Sequence, residues 1–283
     1  MATATNSILV SPGVRLHYSQ AGPPAAPNLV LIPGWSQTAA QFQKQVAHFQ
    51  TRYRVTTYDH RGHGDSDKPG FGYRVYRLAA DLEALLEALE LRDVVVLGHS
   101  MGVSVVWAYW DLFPPTRIRK LVLVDQSPAM TINPSWTAEQ KAEAAAMFEP
   151  AQVFEASNAM MVGPQGEEAR EALSRSFYTE KVSEEDFEWS MRQARKMPPD
   201  LAGRLMLDHA AMDWRDVIPR ITVPTLVVGA KGSPIPITGI EWIAKQIPGS
   251  RLEIFEKEEG GSHCMFWENP EKFNRILEEF LAS

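Results

Sequence analysis

Residues 94–112 read VVVLGHSMGVSVVWAYWDL, and this stretch decides the fold. Its first four residues form a short apolar run, typical of a strand that is buried on both faces. Residues 101–112 are apolar nearly all round, which predicts a buried helix. Gly98–Gly102 joins the two and fits the pattern G-x-S-x-G. The stretch therefore predicts a strand, a sharp turn and a helix, with Ser100 at the turn.

Ser100 is predicted to carry a reactive hydroxyl. The turn forces its backbone into a strained conformation, and the small Gly98 and Gly102 let the strand and the helix approach each other. The hydroxyl then lies at a helix N-terminus, where the helix dipole favours developing negative charge. A serine hydroxyl is a weak nucleophile, so it needs a general base elsewhere in the chain.

Four further apolar runs predict strands of the same kind. They are rich in Val, Leu or Thr and are followed by Gly, Asp or Pro. A fifth run, residues 250–256, alternates in polarity and suits the edge of a sheet. Helical patterns separate the runs, which predicts an α/β fold with a mostly parallel central sheet flanked by helices. The four runs are 28–33, 54–59, 121–125 and 225–228, and the helices outside the quoted stretch are 75–89 and 270–281.

The segment from about 129 to 214 breaks this alternation. It contains helical patterns and no convincing strand, and it is rich in Met and Trp. We predict that residues 129–214 form a mobile helical cap, inserted into a core made of residues 1–128 and 215–283. Its Met and Trp side chains either pack the cap onto the core or form an adaptable apolar roof over a ligand. Met160 and Met161, together with Trp35, are the candidate pocket walls. The helical patterns are 137–148, 166–177 and 183–195.

Seven histidines are candidates for the general base. His263 lies in a loop after the run 250–256 and before the last helix. Ligands bind at such carboxyl ends of strands in open α/β sheets. It also comes last in the order serine, acid, histidine. His99 flanks Ser100, where it either lines the pocket or makes structural hydrogen bonds. We therefore predict His263 as the base. The remaining histidines precede the serine, belong to a turn or fall in the cap: His17, His48, His60, His63 and His209.

Composition limits the classes of protein and partner. The chain has 283 residues with 45% hydrophobic and 22% charged residues, ordinary for one large globular domain with an insertion. Lys and Arg number 28 against 35 Asp and Glu, so the net charge of −7 argues against nucleic-acid binding. No run approaches the ~18 apolar residues of a membrane span. The single Cys264 excludes an intrachain disulfide, and the start lacks a signal-peptide pattern, so we expect a cytoplasmic protein.

Sequence patterns for cofactor binding are not found. No cluster of His, Cys or Asp has metal-ligand spacing, and the HExxH, P-loop and Rossmann glycine patterns are missing. We therefore expect neither a metal nor a nucleotide cofactor.

The motifs together resemble the α/β-hydrolase superfamily over essentially the whole chain. Within it, the sequence is most similar to small esterases, lactonases, C–C hydrolases and the cofactor-free perhydrolase/haloperoxidase group. The resemblance implies an oxyanion hole made by the backbone N–H groups of Trp35 and Met101, which needs no side chain. Many relatives have His-Gly where this chain has Pro33-Gly34. The stretches that carry the resemblance are Pro33–Trp35, Asp59–Ser66, Gly98–Gly102, Leu121–Asp125 and Gly260–His263.

The third member of the implied catalytic triad departs from the usual pattern. Most of the family has an Asp after the strand represented here by 225–228, but residues 229–234 read GAKGSP and contain no carboxylate. His263 needs an acceptor for its Nδ1–H, to fix the tautomer and stabilise the imidazolium. Asp125 ends the strand after the Ser100 helix, and some superfamily members carry the acid there. We expect Asp125 to be the acid, with a purely structural role as the alternative.

These residues predict a serine hydrolase that cleaves a carboxylic ester or lactone of moderate size and apolar character. Two alternatives stay open: cofactor-free non-hydrolytic chemistry at the same site (oxygenase, perhydrolase or lyase), and a non-catalytic ligand receptor. Superfamily members serve all these roles, so the fold cannot decide. The expected partner is a small molecule, not a nucleic acid or a membrane, and the sequence predicts no oligomeric state.

Overall fold

The computed structural model describes residues 4–162 and 165–283, which form the strands and helices of an α/β fold. Residues 1–3 and 163–164, which the predicted core and cap include, lie outside the described residues. The strands are β1 (Ala4–Ser11), β2 (Val14–Ala21), β3 (Asn28–Ile32), β4 (Arg54–Tyr58), β5 (Val94–His99), β6 (Ile118–Val124), β7 (Thr225–Ala230) and β8 (Arg251–Phe255). The helices are α1 (Gln43–Phe49), α2 (Val75–Ala88), α3 (Met101–Leu112), α4 (Ala138–Ala144), α5 (Pro150–Met161), α6 (Gln165–Arg175), α7 (Glu184–Ala194), α8 (Pro199–Ala210), α9 (Ile237–Gln246), α10 (Met265–Glu268) and α11 (Pro270–Ala282).

All eight strands form one sheet in the order β1-β2-β4-β3-β5-β6-β7-β8. The strands from β4 to β8 in this order pair in parallel, and β1 and β2 add an antiparallel hairpin. The predicted mostly parallel sheet flanked by helices is confirmed, with β8 at an edge. The sequence analysis did not identify β1 and β2 from their residues.

The inner strands are apolar because helices cover both faces of the sheet. Alternate side chains of β5 point to opposite faces, so Val96 packs in one apolar cluster and Leu97 in the other. Helices α2 and α3 cover the first face, and α1, α10 and α11 cover the second. Burial of these side chains is the main favourable term in folding. The packing of helices on both faces fixes the carboxyl ends of the parallel strands along one edge of the sheet.

Five helices, α4 to α8, lie between β6 and β7. The predicted helix over residues 137–148 is wrong from residue 145 onward. Ala145 adopts a left-handed φ of +46° and ends α4, and the N–H groups of Met147 and Phe148 then donate to the Met130 carbonyl oxygen. Helices α5 and α8, which both begin with proline, were not predicted. The division of the chain into a core and a separate cap stays a prediction.

Among the described residues, no helix combines the length and the apolar character needed to span a bilayer.

Candidate active site

The turn between β5 and α3 has the predicted geometry. Ser100 has a φ of +54°, in a region that costs a non-glycine residue roughly 1–3 kcal/mol. A Cβ atom on Gly98 would lie 2.6 Å from the Gly102 carbonyl oxygen, and one on Gly102 would lie 2.5 Å from the Ile32 oxygen. The two glycines thus let α3 start directly against the ends of β3 and β5.

His263 and Asp125 form a buried pair. His263 Nδ1 lies 2.6 Å from Asp125 Oδ2, and both side chains are almost fully buried. Asp125 directly follows β6 and, like Ser100, has a φ of +54°. Ser233 donates its hydroxyl hydrogen to the same Oδ2 at 2.5 Å. A hydroxyl from the loop after β7 therefore supports the carboxylate of Asp125.

Burial controls the protonation of this pair. Burial lowers the pKa of His263 to about 3, so its imidazole is neutral at pH 7 and can accept a proton. Burial also raises the pKa of Asp125, which the hydrogen bond from Ser233 opposes. A carboxylate 2.6 Å away stabilises the imidazolium that forms when His263 takes a proton.

Ser100 and His263 both line one small cavity of about 40 Å³. Among the described residues, no hydrogen bond joins the Ser100 hydroxyl to His263. Such bonds are often long before substrate binds and shorten in the complex. The cavity wall is mostly apolar, so it favours an apolar ligand around the reacting atoms. Its apolar residues are Trp35, Met130, Met147, Phe148, Leu173, Phe177, Met206, Pro234 and Ile235.

The four predicted pocket residues have different positions. Trp35 lines the cavity. Met160 lines a neighbouring cavity instead, and Met161 lines neither, because it lies on another side of α5. His99 lies beneath His263: it contacts the Gln37 side chain through Nδ1 (2.9 Å) and donates through Nε2 to the His263 carbonyl oxygen (2.8 Å). His99 therefore holds the loop that carries the predicted base and does not line the pocket.

The loop that carries Trp35 is held by side chains around it. Within the described part of the chain, the backbone N–H groups of Trp35 and Met101 make no hydrogen bond. His60 Nε2 donates to the Pro33 carbonyl oxygen (3.1 Å), and the Ser36 N–H donates to His63 Nε2 (3.1 Å). His60 and His63 thus hold the backbone on either side of Trp35.

Two contacts bind the inserted helices to this loop. The Trp35 indole N–H donates to the carbonyl oxygen of Ala202 at the start of α8 (2.9 Å). Arg170 of α6 is fully buried and donates to the carbonyl oxygens of Ala194 (2.9 Å) and Met197 (2.6 Å), with Ser36 Oγ at 3.4 Å. The helices are therefore packed closely over Ser100.

The sequence analysis missed two polar residues in the cavity. His209 of α8 and Gln126 both line it and are almost fully buried. His209 Nδ1 and Gln126 Oε1 have no hydrogen-bond partner among the described residues. His209 was set aside because it falls in the inserted segment. The sequence did contain one signal for His209. It lies three residues after Met206, so both side chains share one face of a helix.

One group of side chains with metal-ligand geometry occurs in the described ranges: His17, Asp59 and Asp65. Asp59 already accepts the backbone N–H groups of Ala39 (2.8 Å) and Asp65 (2.9 Å). Lys196 pairs with Asp65 at 3.2 Å. These contacts explain why the three side chains lie together: they belong to a network of charged and hydrogen-bonded groups. The network does not line the Ser100 cavity.

Five buried histidines share a lowered pKa, because burial penalises the charged imidazolium. The pKa falls to about 3 for His60, His209 and His263, to about 4 for His63, and well below 6.5 for His99. Below pH 6.5 the unfolded chain takes up these protons, whereas the folded protein does not. The stability that they contribute is therefore present above pH 6.5 and is lost as the pH falls.

We expect the free energy of unfolding to fall steeply below pH 6.5. The raised pKa of Asp125 offsets the contribution of His263, because the folded pair takes up a proton on the carboxyl group. The other four histidines each contribute up to about 1.4 kcal/mol per pH unit, so together they approach about 6 kcal/mol per pH unit. A domain has only ~5–15 kcal/mol of stability, so acid unfolding should occur within roughly two pH units. Urea unfolding followed by circular dichroism at stepped pH measures the slope. His60→Gln should reduce the slope by about one proton. A wild-type slope near one proton would contradict this expectation.

The chain belongs to the α/β-hydrolase family. A family model described as "alpha/beta hydrolase fold" matches residues 27–270, which is most of the chain. Strands β3 to β8, the turn at Ser100 and the loop of His263 all lie in the matched region, whereas β1 and β2 precede it.

Curated relatives match along nearly their full length. A non-heme chloroperoxidase from Streptomyces lividans is 28% identical, over 98% of this chain and 99% of that protein. The 3-oxoadipate enol-lactonase 2 from Acinetobacter baylyi is 28% identical, over 95% of this chain and 94% of that protein. The solved esterase EaEST from Exiguobacterium antarcticum superposes with a TM-score of 0.88, covers 99% of this chain and all of its own, and is 24% identical. That likeness shows the fold.

Proposed function

We propose that the protein is a serine hydrolase that cleaves a carboxylic ester or lactone of moderate size and apolar character. The observation that carries the proposal is the 2.6 Å contact of Asp125 with His263, beside the strained Ser100, in one apolar cavity. Nucleophile, base and orienting acid are the three parts that acyl transfer at a serine requires.

The first half of the reaction forms an acyl-enzyme. The Ser100 hydroxyl attacks the substrate carbonyl carbon while His263 Nε2 takes its proton. The backbone N–H groups of Trp35 and Met101 stabilise the negative oxygen of the tetrahedral intermediate. His263 then gives the proton to the leaving alkoxide, and the alcohol departs. In a lactone the alcohol stays attached to the acyl group.

The second half releases the acid. Water donates a proton to His263 and attacks the acyl carbonyl carbon, and collapse of the new intermediate returns the proton to Ser100 Oγ. Asp125 holds Nδ1–H of His263 throughout, so Nε2 always faces the reacting atoms. Ser233 assists by holding the Asp125 carboxylate in place.

The relatives support this class of substrate. One of them also favours a second candidate function. The names of the enol-lactonase and the esterase support a lactone or an ester. The non-heme chloroperoxidase favours perhydrolysis, in which hydrogen peroxide replaces water as the attacking species and the acyl-enzyme yields a peracid. The two candidates share the first half of the reaction and differ only in the second nucleophile.

A panel of p-nitrophenyl esters and simple lactones tests the proposal. We expect release of free acid from both, and added hydrogen peroxide should leave the product unchanged if water is the natural nucleophile. Peracid as the main product would favour the second candidate. Ligand binding without turnover of any ester or lactone would overturn both and favour a receptor.

A further inference from the structure

A second cavity lies beside the one at Ser100. It has a volume of about 90 Å³ and lies among α5, α6 and α8. Its wall is apolar except for Gln152, which lies at an exposed position on α5. Ala156, one turn further along α5, is also exposed. The cavity therefore reaches from the protein surface toward the interior.

Three side chains separate the two cavities. Phe148, Leu173 and Met206 line both of them, so the partition is one side chain thick. The three residues come from separate elements: the segment after α4, α6 and α8. Met206 has an unbranched, flexible side chain, which can change rotamer at little cost. A small movement of the inserted helices would therefore join the cavities.

We propose that the outer cavity binds the far end of an unbranched apolar chain of the substrate, and that Phe148, Leu173 and Met206 form the gate through which the chain passes. This inference rests on the proposed ester or lactone hydrolysis. We infer this occupant because the outer cavity adjoins the Ser100 cavity. A chain attached to the reacting carbonyl or to the alcohol can extend from one cavity into the other. The two voids together approach the roughly 150 Å³ at which an apolar cavity takes up a benzene-sized ligand.

The side chains that line the outer cavity determine which substrate chains it can bind. No charged side chain lines the outer cavity within the described ranges, so a chain ending in a carboxylate would lose its hydration without compensation. Each methylene that enters should raise kcat/KM by about fourfold. Because the rim at Gln152 and Ala156 is exposed, a longer chain can emerge there, so we expect no sharp upper limit to its length.

The test measures kcat/KM for p-nitrophenyl acetate, butyrate, octanoate and decanoate. Ala169→Phe places a ring in the outer cavity and should lower the octanoate-to-acetate ratio at least tenfold. Ala156→Phe fills the same cavity from its exposed rim, so it serves if the first variant folds poorly. Ala172→Phe, on the exposed face of α6, is the matched control and should leave the ratio unchanged. Leu173→Ala opens the gate and should raise the ratio. Octyl acetate, compared with p-nitrophenyl octanoate, tells whether the cavity takes the alcohol or the acyl side.

Octanol binding, measured by titration calorimetry, tests the outer cavity independently of the proposed hydrolysis. Octanol binding that is lost in Ala169→Phe or Ala156→Phe and kept in Ala172→Phe supports the outer site even if no ester is cleaved. Two results would overturn the inference while leaving the hydrolysis standing. One is that both the octanoate-to-acetate ratio and the kcat/KM for octyl acetate are equal in all variants, and the other is octanol binding that neither filling variant weakens.

Discussion

Asp125→Asn is expected to lower kcat by up to ~10⁴-fold while leaving the fold intact. The carboxylate accepts the Nδ1–H of His263 at 2.6 Å and so keeps the lone pair on Nε2. An amide can donate to Nδ1 instead and hold the wrong tautomer, and it has no charge with which to stabilise the imidazolium. Steady-state kinetics on p-nitrophenyl butyrate measure the loss, and circular dichroism checks the fold.

Ser233→Ala is the matched control for Asp125→Asn. It removes one hydroxyl donor from the same carboxylate oxygen but leaves the contact of Asp125 with His263 in place. A hydrogen bond to a charged group is worth about 1.5–3 kcal/mol, so kcat should fall by at most roughly 10²-fold, well short of the loss in Asp125→Asn. Combining Asp125→Asn with Ser233→Asp introduces a carboxylate into the loop after β7, and we expect partial recovery. Near wild-type activity in Asp125→Asn, or a larger loss in Ser233→Ala, would exclude Asp125 as the orienting acid.

Ser100→Ala is expected to lower kcat by roughly 10³-fold or more, because the covalent path is lost. Substrate binding should persist, since the apolar cavity wall is unchanged. Ser104→Ala, one turn along the same helix, is the control: this serine is buried in α3, does not line the cavity, and should be dispensable for catalysis. A loss below tenfold in Ser100→Ala would contradict covalent chemistry, although a reaction driven by His263 alone would survive it.

The sequence could predict strands β3 to β8 and the positions of Ser100, Asp125 and His263, because both follow from strand patterns. Ser100, Asp125 and the loop of His263 all come after strands. The carboxyl ends of parallel strands meet at one edge, so order along the chain was enough to place them together. The roles of these residues stay predictions, whereas their positions are given by the geometry.

The pocket wall could not be predicted because it depends on how the inserted helices pack. Met160 and Met161 are neighbours on α5, yet only Met160 lines a cavity. The left-handed turn at Ala145 reverses the chain and brings Phe148 to the gate, and no glycine marks that turn. His209 was missed for the same reason. Side-chain periodicity identifies a helix face but not which neighbouring element covers it.

The central claim is that Ser100, activated by His263, forms a covalent bond with the substrate acyl group. Reaction with phenylmethylsulfonyl fluoride tests it most directly, because the reagent traps an activated serine. Intact mass spectrometry should show one adduct per chain, and peptide mapping should find it on Ser100 in the tryptic peptide 93–117. Ser100→Ala should take up no label, and Asp125→Asn should react far more slowly. Labelling of another residue, or equal labelling of wild type and Ser100→Ala, would contradict the account.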